Sequence, residues 1–158
     1  MKAALIALGA LTAAAPVFTD TPVSAAMVIH DDHKAELDIV QPWARETTKS
    51  AMSGAVYLSL TYKSDHGDKL TGASTPAAKM TQIHNTITQD GIAMMREMDP
   101  ISLEKGSVVT FEPGGKHIML MGLNGQLKKG ETFPVTLHFE ESSDVTITVT
   151  VTPVTGPE

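Results

Sequence analysis

Residues Val145 to Thr152 read VTITVTVT, a run that is β-branched at every position and alternates apolar with hydroxyl-bearing side chains. A pattern of period two puts Val145, Ile147, Val149 and Val151 on one face of a strand and the threonines on the other, and it fits no helix. One strand cannot bury its apolar face alone. Thr132 to Glu140 supplies a neighbour across the polar turn Glu141-Ser142-Ser143-Asp144, and Ser53 to Tyr62 (SGAVYLSLTY) alternates around Val56, Leu58 and Leu60. Lys79 to Ile87 and Ala93 to Met98 flank Gln89-Asp90-Gly91, a hairpin turn with glycine placed for a positive φ. Val108 to Phe111 and His117 to Met121 flank Pro113-Gly114-Gly115 and repeat the strand–turn–strand pattern. About seven or eight short strands, with turn signals at roughly the 8–12-residue spacing of sandwiches, predict an all-β, antiparallel Greek-key barrel or sandwich. No amphipathic stretch of three helical turns interrupts them.

The chain has 158 residues, enough for one such domain with short appendages. Lys2, the apolar run Ala3 to Ala15 and the small residues Val23-Ser24-Ala25 read as an export signal over 1–25, cleaved near Ala25. The expected organisation is then a flexible segment 26–36, a barrel domain 37–152 and a short tail 153–158. The apolar run falls short of the ~20 residues a membrane-spanning helix needs, so the mature form has no integral membrane segment and is placed in the periplasm.

A net charge of −6, with 12 scattered Lys and Arg, argues against a nucleic-acid partner. Cysteine is absent, which removes disulfides, thiolate nucleophiles, iron–sulfur clusters and thiolate metal sites. Any soft-metal chemistry must therefore use methionine sulfur. The chain has nine methionines against seven aromatic residues, and six of the nine fall between Met80 and Met121 together with His84 and His117.

Alternation makes that window chemically suggestive. His117 and Met119 share one strand face while Ile118 and Leu120 take the other, so an imidazole and a thioether can aim at one point. On the preceding hairpin His84 lies with Gln82 and Thr86, opposite Ile83 and Ile87. Met94 and Met95 fall on opposite faces, and alternation alone does not choose which of them joins His84. Imidazole with thioether is a soft, uncharged donor set that favours Cu(I) over hard cations, and protons compete for its nitrogens in acid.

His84 is followed by ten residues, then Met95, then twenty-one residues, then His117-Ile118-Met119. This spacing resembles that of the PCu(A)C-type periplasmic copper chaperones, and it selects Met95 over Met94. Gln41-Pro42-Trp43-Ala44-Arg45, Gly54-Ala55-Val56-Tyr57 and FEPGGKHIMLMGL from Phe111 to Leu123 are similar to the family as well, over about Leu37 to Val151. The resemblance implies a cupredoxin-like barrel and a surface Cu(I) site of His84, Met95, His117 and Met119. It further implies a carrier that supplies copper toward the Cu(A) centre of cytochrome c oxidase, with a Sco-type thiol protein as recipient or co-worker; a monomer without enzymatic activity is expected. The chain departs from the family in two places. Asn85 stands where many relatives carry methionine, and the tail Pro153 to Glu158 has none of the His and Met that give some relatives a Cu(II) site.

Other residues carry weaker signals. Met27, His30, Asp31, Asp32 and His33 could hold Cu(II) in a flexible segment. Trp43 reads as a plug at one end of the core, Lys116 and Arg96 as surface charges or, alternatively, as charges flanking the site, Met98 and Met121 as core or rim, His66 as a loop residue and His138 as structural. No catalytic motif of a hydrolase, metalloprotease or nucleotide enzyme occurs. The alternatives to a copper-transfer protein are a copper storage or resistance protein, a copper redox enzyme, and a metal-free recognition module.

Overall fold

In the computed structural model the described residues are 35–157, so the export signal expected over 1–25 and the cluster Met27 to His33 lie outside them. Ten strands form: β1 (Leu37–Arg45), β2 (Ser53–Tyr62), β3 (Asp68–Ser74), β4 (Ala78–Gln89), β5 (Ile92–Glu97), β6 (Ile101–Leu103), β7 (Val108–Phe111), β8 (Lys116–Leu123), β9 (Thr132–Phe139) and β10 (Val145–Thr152). They run in the order β5-β4-β8-β2-β1-β10-β9-β3-β6, with β7 also on β2. The sheet curls until β3 meets β4, where the Thr81 hydroxyl donates to the Ala73 carbonyl. Curling turns the apolar side of every long strand inward. Val56, Leu58, Leu60 and Tyr62 of β2, Ile118 and Leu120 of β8, Val135 and Leu137 of β9, and Val149 and Val151 of β10 make the core. Among the described residues no helix is long and apolar enough to cross a membrane.

The architecture is all-β as expected, with more strands than the seven or eight anticipated and one parallel pair, β1 with β10. Alternation in β1 is broken at Gln41, whose φ is +48°, and the β1–β2 register shifts between Val40 and Trp43. β6 has three residues, too few for a periodic signal. The Pro113-Gly114-Gly115 turn does not join a hairpin. β7 and β8 both pair with β2, at Leu58–Thr61 and Ser53–Val56 respectively, so Glu112 to Lys116 is a loop thrown out of one long strand. The Glu112 N–H closes it on the Lys116 carbonyl at 2.8 Å, and Gly114 takes φ +84°, a conformation glycine adopts without strain. The β4–β5 hairpin forms as read. Asp90 and Gly91 both have positive φ, +53° and +79°, the two-residue turn that matches the strands' twist.

Trp43 is not a core plug. It lies on the outer side against Tyr57, ring centroids 4.6 Å apart, beside Gly156 of the C-terminal segment. Met98 packs against the core. His138 is structural, hydrogen-bonded at 2.8 Å to both Asp144 and Ser74.

Among the described residues Asp68 is the buried acid. Its carboxylate accepts the backbone N–H groups of Lys69 (2.6 Å), Glu141 (2.9 Å) and Ser142 (3.0 Å), tying β3 to the β9–β10 turn. Burial acts to raise its pKa, but the hydrogen bonds from Ser142 and these N–H groups outweigh burial and hold it below the ordinary value. Asp68→Asn should cost about 2 kcal/mol at neutral pH, the range for hydrogen bonds to a charged group. A group with a depressed folded pKa stabilises fully above its unfolded value of about 3.9, and loses that contribution as pH falls through the folded one. Urea melts should therefore show the gap between wild type and variant narrowing below about pH 4, whereas a constant gap would mean that packing, not charge, is lost.

Candidate metal centre

The outer face of β4, β8 and β2 departs from the usual polar-out pattern of a barrel. Cross-strand register sets its rows. His84 pairs with His117, Gln82 with Met119, and Thr86 with Met95 across the hairpin. Side chains of one parity share a face, so His84, Met95, His117 and Met119 all lie on the outer one, while Ile83, Ile118 and Leu120 are buried beneath them. Met94 pairs with Ile87 and has the other parity. The two imidazoles meet edge to face, ring centroids 5.9 Å apart at 80°. Asn85 pairs with both Arg96 and Lys116, a row whose parity is opposite to the ligand face, so these cations do not flank the site on its own side.

Hydrogen bonds set the tautomer of each ring. His117 Nδ1 is 3.1 Å from the Gly115 carbonyl oxygen, which can only accept, so Nδ1 carries the proton and Nε2 keeps its lone pair. His84 Nε2 is 3.2 Å from Gln82 Oε1, also an acceptor, which leaves the lone pair on Nδ1. That Nδ1 is buried and has no hydrogen-bond partner. A buried acceptor left unpaired costs about 1–3 kcal/mol and calls for an explanation, and a metal ion supplies one. The bonds to Gln82 and Gly115 fix the orientation of the two rings, the part that outer partners play for imidazoles in metal sites. The glycine carbonyl has a double use, accepting the Thr86 N–H at 3.1 Å and so pinning the loop to β4.

Beside His117 opens a cleft of 450 Å³ whose lining includes Met95, Met119, Tyr57, Arg45 and Glu46, while His84 does not line it. Met95, on the edge strand β5, is 63% exposed, while His117 is 6% exposed. The site thus has a fixed imidazole side and an open thioether side. Arg45 lies 5.7 Å over the Tyr57 ring with its Nε buried and unpaired. Burial raises the Tyr57 pKa despite the opposing charge of Arg45, so the phenol stays neutral and does not cancel the guanidinium. Among the described residues no group of three or more His, Cys, Asp or Glu could hold a metal, and the soft donors in the rows next to the imidazoles on this face are the thioethers of Met95 and Met119. Sequence reasoning did not single out Tyr57 or Arg45 for the site. Register is what brings them in: β1 pairs Trp43 with Tyr57 and Ala44 with Val56, across β2 from β8.

The family and the fold have counterparts among known proteins. Residues 37–151 match the LpqE-like family, described as a lipoprotein family. Protein RP573 of Rickettsia prowazekii is 30% identical over 122 residues, 75% of this chain and 67% of that protein. Protein Lxx21020 of Leifsonia xyli is 38% identical over 86 residues, and the match spans 54% of this chain and about half, 52%, of that protein. Among solved structures, the copper-bound PCuAC domain from PmoF2 superposes with a TM-score of 0.62 at 26% identity, covering 74% of this chain and 92% of that domain. The solution structure of CuI-DR1885 from Deinococcus radiodurans gives 0.58 at 31% identity, covering 75% and 80%. The chain belongs to the LpqE-like family and has the cupredoxin-like fold of the PCuAC domains.

Proposed function

We propose that the protein is an exported copper carrier. It binds Cu(I) through His84 Nδ1, His117 Nε2 and the thioethers of Met95 and Met119, and passes the ion to an acceptor protein in the periplasm. The observation that carries this reading is the unpaired, buried Nδ1 of His84 on a face that also holds a second imidazole and two thioethers. The similar PmoF2 domain is copper-bound and DR1885 is in its CuI form, which supports the choice of ion.

All four donors are neutral, so the ligand set itself leaves the ion's positive charge uncancelled, with Arg45 and Glu46 in the adjoining cleft and Glu97 opposite His84. Such a site attracts an anionic acceptor ligand, such as the thiolate of a Sco-type protein or of the Cu(A) centre of cytochrome c oxidase. The exposed Met95 is the ligand an incoming group can displace first, with the imidazoles still holding the ion. That openness favours transfer over storage. Copper is cargo and no bond is made or broken in a substrate, so the protein needs no catalytic group.

X-ray absorption on the full chain loaded with one equivalent of Cu(I) should show two nitrogen and two sulfur neighbours. A first shell without sulfur would overturn the ligand set, and with it the case for a carrier.

A further inference from the structure

The outer face carries two more thioethers in register with the first two. Met80 of β4 pairs directly with Met121 of β8, and the next pair along is the row toward Met119 and Gln82. Side chains directly opposite on one face have Cβ atoms ~4.5–5.5 Å apart, within reach of a shared ion for a side chain as long as methionine. Met121 and Met119 are two residues apart on the same face, about 7 Å along the strand. The rows therefore read Met80–Met121, Gln82–Met119, His84–His117, a soft-donor track that ends at the imidazoles.

Packing does not account for the first row. Met80 is 55% exposed, and Met121 is only partly buried and faces Ser53 on its other side. An unbranched apolar side chain gains little on the solvent face of a strand, where β-branched threonine serves better. Neither residue belongs to the core or packs against it, in contrast to Met98.

We infer that Met80 and Met121 form a second, weaker Cu(I) site, a way-station from which the ion reaches the His84–His117 centre by way of Met119. The inference rests on the proposed Cu(I) carrier. Movement along the track is an exchange of one neutral thioether for another, with no change of charge or oxidation state. Two thioethers suit the low coordination numbers of Cu(I) and exclude harder ions.

Ag(I), a redox-inert stand-in for Cu(I), can be titrated into the full chain while methionine methyl groups are followed by NMR and stoichiometry by native mass spectrometry. Two ions should bind. The first should shift the Met95 and Met119 methyls, and the second, at least tenfold weaker, those of Met80 and Met121. The double variant M80L/M121L, of similar volume on a partly exposed face, should keep the first event within about twofold and lose the second. A wild-type chain that takes one ion overturns the inference alone, as does a second event that persists in the double variant or moves other methyls. Absence of both events overturns the carrier as well.

Discussion

Replacing His84 by leucine should leave the apo protein as stable as wild type, or more so, while weakening Cu(I) binding by on the order of 100-fold or more. The opposite signs follow from one atom. The Nδ1 of His84 is buried without a partner, and removing it relieves a desolvation penalty of about 1–3 kcal/mol, offsetting the loss of the Nε2 bond to Gln82. Loss of a ligand should cost at least what loss of its outer partner does, and outer partners alone account for about 10–100-fold in metal affinity. Anaerobic competition against a Cu(I) chelator gives the affinity, and thermal melts of the apo form give the stability. A histidine whose role is structural would give the reverse: a clear fall in melting temperature with copper binding intact.

Much of this was legible in the sequence because the fold and the face are both consequences of period two. VTITVTVT in β10 packs as its alternation says, with Val149 and Val151 buried and Thr146, Thr148 and Thr150 exposed. Asp90-Gly91 makes the turn that positive φ allows. What alternation could not show is which strands lie side by side. Met95 joins the His84 face only because the hairpin register sets it opposite Thr86, and Met80 meets Met121 only because β4 lies on β8. The bulged β1 and the three-residue β6 carry too little periodicity to be read, and β1 also supplies the residues that reasoning from local pattern passed over, Arg45 above all. Pro113-Gly114-Gly115 announces a turn correctly but not its topology. A tight turn between strands of one hairpin and a loop thrown from a single strand use the same residues, and only the shared partner β2 tells them apart.

Ile118→Ala should separate the support of the site from the site itself. Ile118 is fully buried between Val56 and Ile83 in the register, directly between the outward His117 and Met119. Truncating a buried isoleucine costs about 2–5 kcal/mol, through lost transfer free energy and the cavity left behind, so apo stability should fall by ~3–4 kcal/mol in a urea titration. That is a large share of the ~5–15 kcal/mol typical of a domain. The ligand spacing, however, is held by backbone ladders from β8 to β4 and β2 that the substitution leaves in place, so Cu(I) affinity should drop less than tenfold. Free ion at 1,000 times its Kd stabilises the native state by about 4.1 kcal/mol, so the loaded variant should melt close to apo wild type. A collapse of affinity in Ile118→Ala comparable to that in His84→Leu would place the burden of positioning on core packing, not on the ladder, and the outer face would no longer count as a preformed site.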